Sequence, residues 1–89
     1  MNLQTLLFGP EEIFFLDPEG TEPLGEANSS TIEYNLSAMP DLVEAWVDLV
    51  SHEWLHWVSK QKCGVEIDDY VVITILEMAG LTWDGGGVF

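Results

Sequence analysis

The sequence predicts an α+β domain, in which a small antiparallel sheet of two or three strands packs on a long helix and a second, shorter helix. Three observations predict it. Residues 1–37 contain two short runs rich in β-branched and aromatic side chains, separated by a stretch of Pro, Gly and acids. Residues 40–62 show the strongest helical periodicity of the chain, and residues 68–80 carry both a helix-start and a helix-stop signal. With 89 residues and 47% apolar content, the chain can bury one real core but lacks the length for a second domain.

The elements follow in order. Glu11-Glu12-Ile13-Phe14-Phe15-Leu16 reads as a strand that stops at the turn sequence Asp17-Pro18-Glu19-Gly20. Residues 17–30 hold Pro18, Gly20, Pro23 and Gly25 with Asp17, Glu19, Glu22 and Glu26, the composition of an exposed loop. Thr31-Ile32-Glu33-Tyr34-Asn35-Leu36 alternates polar and apolar, as a half-buried strand does. Two strands joined by a loop suggest an antiparallel pair. Pro40 suits the first position of a helix, Asp41 and Glu44 sit at its positive end, and Lys60 and Lys62 at its negative end. After a linker at 64–67, the β-branched run from Tyr70 would also suit a buried strand. Asp68-Asp69 as caps, the Leu76-Glu77-Met78-Ala79 continuation and Gly80 as terminator favour a helix. The tail, 81–89, is flexible at Gly85-Gly86-Gly87 and apolar at Val88 and Phe89. Trp46, Trp54, Trp57 and Trp83, with Phe14 and Phe15, are mostly explained by core packing.

Charge narrows the function. Sixteen carboxylates against two Lys and no Arg give a net charge of -14, so a phosphate backbone is repelled and nucleic acid is a poor partner. Residues 1–59 carry eleven acids and no Lys or Arg, which excludes a membrane-surface role in the same way. The N-terminus has no basic residue before its short apolar run, and no stretch reaches the length of a membrane span; the chain reads as soluble and cytoplasmic. The lone Cys63 cannot form an internal disulfide, so a domain of this size would benefit from another staple such as a metal. Asn28-Ser29-Ser30 and Asn35-Leu36-Ser37 match the glycosylation sequon but look like turn and strand residues.

The chemistry concentrates in His52-Glu53-Trp54-Leu55-His56, an HExxH pattern within the long helix. Spacing i, i+4 puts both imidazoles on one face, where two nitrogens can share one zinc ion. Glu53, about 100 degrees round the helix, can reach a water there without ligating the metal, which suits a general base. With His52 at 0 degrees, Glu53 falls beside Leu49, Leu42 and Trp46 in the apolar sector, where an unpaired carboxylate is costly. A metal would answer that cost; otherwise the two His are half-exposed and Glu53 lies in a protein or homodimer interface. A catalytic zinc needs a third protein ligand. Cys63 lies about 10 Å beyond His56 along a straight helix, too far, and is better read as a small buried residue near the helix end. Glu77, the one ionisable group in the apolar part of the second helix, is the better candidate. Asp68 and Asp69 are better read as caps, and Asp48 as a solvated helix acid or a partner behind His52.

With these residues the chain resembles the gluzincin zinc metallopeptidases, in particular the single-domain minigluzincins. Leu49 to Val58 fits the extended motif, with uncharged residues around it and hydrophobic ones at its ends, and the spacing from His56 to Glu77 is similar to that of thermolysin-like members. The resemblance covers about residues 31–80. It implies His52, His56 and Glu77 as zinc ligands, Glu53 as general base, and residues 31–36 as the strand along which an extended peptide lies. Tyr70, on the same helical face as Glu77, is the candidate transition-state donor. The chain departs from the family at Leu81, where an acid often orients a histidine; Asp84 would substitute if the tail folds back.

Zinc-dependent hydrolysis of a peptide or protein substrate is therefore the leading expectation. A non-enzymatic acidic interaction protein, such as an inhibitor or DNA mimic that covers a basic surface, is the alternative. Adaptation to high salt would explain the charge without assigning a function. The tail, with Val88 and Phe89 reaching a nearby cleft, could inhibit the site.

Overall fold

The computed structural model describes residues 9–17, 19–37 and 42–83. It has the expected α+β class: strands β1 (Glu11–Phe15), β2 (Gly25–Ala27) and β3 (Thr31–Asn35), then helices α1 (Val43–Cys63) and α2 (Asp69–Ala79). The expectations for Pro40 and Asp41, for Asp84 and for the inhibitory tail lie outside the described residues. No helix among the described residues is long and apolar enough to cross a membrane.

The sheet order is β1-β3-β2, and it is mixed. β2 runs antiparallel to β3, with Glu26 opposite Glu33, while β1 runs parallel to β3, with Glu11 opposite Thr31 and Phe15 opposite Asn35. The expected antiparallel pairing of the first and last strands is thus corrected. The cause is the supposed loop: its residues 25–27 turn back through Asn28, whose amide donates to the Thr31 carbonyl (2.8 Å), and occupy the antiparallel slot. The long connection from Phe15 lets β1 reach the opposite edge of β3, where Leu36 donates to the Phe15 carbonyl (2.8 Å). Alternation in β3 holds, with Ile32 and Tyr34 fully buried.

These two side chains meet Leu49 and Trp57 of α1 in the core, flanked by Leu24, Ala27, Trp46, Val50 and Trp54. Phe14 stacks on Tyr34 (5.1 Å between centroids) and is otherwise half exposed. Glu12 joins β1 to this layer: one oxygen accepts from the Trp54 indole (2.8 Å) and from the Tyr34 hydroxyl (3.2 Å). Burial and the Glu12 charge push the Tyr34 phenol well above its ordinary range.

α1 begins at Val43 after an extended Leu42, so the described helix starts later than expected. It ends with Cys63, which is exposed rather than buried, because the helix terminates at the surface before Gly64. Asp48, expected to be solvated, is 7% exposed and accepts a hydrogen bond from the Trp83 amide (2.8 Å), which ties the segment after α2 to α1. α2 forms where expected. Asp68 caps it by accepting from the Val71 amide (3.0 Å), and Gly80 ends it with φ of 72°, a left-handed conformation that a side chain disfavours. Val72 and Leu76 bury one narrow face against α1.

Candidate metal centre

His52 and His56 stand one turn apart in the middle of α1, where the helical repeat aims both rings at the start of α2. Their Nε2 atoms are 3.2 Å apart. Each is also 2.9 Å from Oδ1 of Asp69, the first residue of α2. Among the described residues, these three side chains form the group able to hold a metal ion. His52 is 1% exposed, His56 about a quarter exposed, and Asp69 about half exposed.

The donor set fits a cation. Two imidazole nitrogens and a carboxylate oxygen are ordinary zinc ligands, and atoms bonded tetrahedrally to zinc stand about 3.3 Å apart, a few tenths more than here. Neutral imidazoles can both donate to Oδ1, but the close contact between the two Nε2 atoms then sets one N–H against another. A shared cation removes that conflict. For Asp69, burial pushes the carboxyl up, but the hydrogen bonds and charges of His56 and His52 outweigh it and hold the group below the usual carboxylate range.

Glu53 is 4% exposed and accepts no hydrogen bond among the described residues. Burial pushes its carboxyl up to about 7; His56 opposes the rise, while Asp69 and Glu26 add to it. It lies in close contact with Gly25 of β2: a Cβ there would stand 2.9 Å from the Glu53 Cγ and 3.0 Å from Cδ. Gly25→Ala is expected to displace Glu53 or the strand and to lower stability by about 1–3 kcal/mol, which urea unfolding measures; an unchanged midpoint would show that the approach is looser than this.

Glu53, His56 and Asp69 share a cleft of about 370 Å³ with Gly25, Glu26 and Ala27 of β2, and with Lys60 and Glu66. The edge that faces the site is therefore β2. The expectation that residues 31–36 form the substrate edge is corrected, since β3 is the central strand and is hydrogen-bonded on both sides. Glu77, the expected third ligand, is exposed and stands outside the metal-binding group. It lies eight residues beyond Asp69, about 12 Å further along α2, so the end of the helix that meets the histidines carries Asp69 instead. Tyr70 is 85% exposed and does not line the cleft, because residue 70 turns away from the face that Asp69 presents. Cys63 is likewise outside the group.

Asp69 was the residue that motif reasoning passed over. One available signal was redundancy: a helix start needs one capping acid, and the second of the pair Asp68-Asp69 had no capping task. No protein-family model matches the chain, and no curated protein or solved structure matches it either.

Proposed function

We propose that this chain is a zinc-dependent peptide hydrolase in which His52, His56 and Asp69 hold the metal and Glu53 is the general base. The observation that carries the reading is the convergence of three ligand atoms 2.9–3.2 Å apart beside a buried glutamate that opens into the same cleft. Zinc held there would bring a water towards pKa 7 and polarise a carbonyl.

The chain's own residues supply the rest. The Glu53 carboxylate takes a proton from the attacking water and can return it to the leaving amine, and its raised proton affinity suits both directions. Gly25, Glu26 and Ala27 offer a strand edge beside Glu53 with which no described strand pairs, and to which an extended peptide can add as a further strand. Trp57, which lines the cleft, gives an apolar surface for one substrate side chain.

Peptide hydrolysis by zinc-loaded protein tests the proposal. Glu53→Gln is expected to retain zinc and lose at least about 10²-fold in kcat, the usual scale of a general base. A variant that keeps full activity removes Glu53 from the chemistry. Protein that neither binds zinc nor cleaves peptides leaves the acidic-partner alternative, whose binding to a basic surface would weaken as salt rises.

A further inference from the structure

The wall of the cleft has a charge pattern that general base and metal ligands do not explain. Glu26 projects from β2 and Glu66 from the link before α2, and both are exposed. Lys60 is the cation among the lining residues. Neither Glu26 nor Glu66 forms an ion pair with any described residue, although one of the chain's two lysines lines the same cleft. Glu53 itself is 4% exposed, without a hydrogen-bond partner among the described residues, and aimed into this space.

A cation taken up by His52, His56 and Asp69 would offset charge at the floor but leave Glu26 and Glu66 on the walls. The chain's net charge of -14 adds a field of the same sign over the whole surface, which concentrates cationic ligands near the mouth. We propose that the cleft selects cationic peptides, with a Lys or Arg side chain of the substrate seated between Glu26 and Glu66 while its backbone lies along β2. The inference rests on the hydrolase reading for its chemistry but not for its binding. Charge on the walls sets the substrate class; the metal and Glu53 set the reaction.

Two measurements on zinc-loaded full-length protein keep these separate. The first compares kcat/KM for matched peptides that differ only in carrying Lys, Ala or Glu at one position on either side of the scissile bond. The second measures Kd for the same peptides with Glu53→Gln, which binds without turnover. Two exposed charge pairs predict about tenfold preference for Lys over Glu at low salt in both measurements, shrinking at high salt. In the Glu26→Gln/Glu66→Gln variant the preference is expected to fall to near parity. Equal binding of all three peptides, no binding of any, or a Lys preference that survives the double substitution overturns the proposal. Absence of hydrolysis together with selective binding of the Lys peptide overturns the hydrolase reading and leaves this one standing.

Discussion

Asp69→Ala is expected to abolish zinc binding, and Glu77→Ala to leave it at the level of the parent chain. Asp69 Oδ1 lies 2.9 Å from both imidazole nitrogens, whereas Glu77 sits about two helical turns away and is exposed. Removal of one of three protein ligands should cost more than the 10–100-fold that changes behind a ligand typically cost. His52→Ala and His56→Ala should match Asp69→Ala. Titration of metal-free protein with zinc, followed by elemental analysis, reads all four variants. The opposite outcome, with zinc lost in Glu77→Ala and kept in Asp69→Ala, would mean that α2 docks by its other end.

The second large effect concerns Glu53 in chelator-treated protein. Its carboxyl rises from an ordinary 4.5 to about 7 in the folded state. Between those values the native chain holds a proton that the unfolded chain has released, so stability falls as pH rises through this window and is fully present only below it. The whole shift corresponds to about 3 kcal/mol. Glu53→Gln, of nearly the same shape and without the charge, should match the parent in urea unfolding near pH 4 and exceed it by about 3 kcal/mol near pH 8. Two curves that stay parallel across this range would show that Glu53 is better solvated than its burial indicates. Zinc should narrow the gap, since a nearby dication favours the ionised carboxylate.

Much of this arrangement was legible in the residues. The His52-Glu53-xx-His56 spacing on a long helix, the burial of Glu53 and the cap-to-Gly80 helix all depend on local periodicity and capping, which short-range patterns encode. The strand β2 was not legible, because Gly25-Glu26-Ala27 has no apolar alternation and owes its pairing to the turn at Asn28 and to the neighbouring β3. The direction of β1 depends on that pairing and was lost with it. The burial of Asp48 is illegible for a related reason: its partner is a backbone amide thirty-five residues away, which no helical wheel can register. The choice between Asp69 and Glu77 turns on which end of α2 meets α1, a matter of tertiary docking rather than of sequence spacing.

The two adjacent acids at the start of α2 divide their labour in a way that has a cost in tolerance. Asp68 anchors the backbone from which the helix counts its residues, and Asp69 is the very next step of that count. An α-helix advances about 100 degrees per residue, so a slip of the origin by a single position would swing the carboxylate a quarter-turn or more off the imidazole pair. The proposed centre is therefore indexed by a hydrogen bond that no ligand makes, and the phase of one short helix decides whether Asp69 meets the two imidazoles.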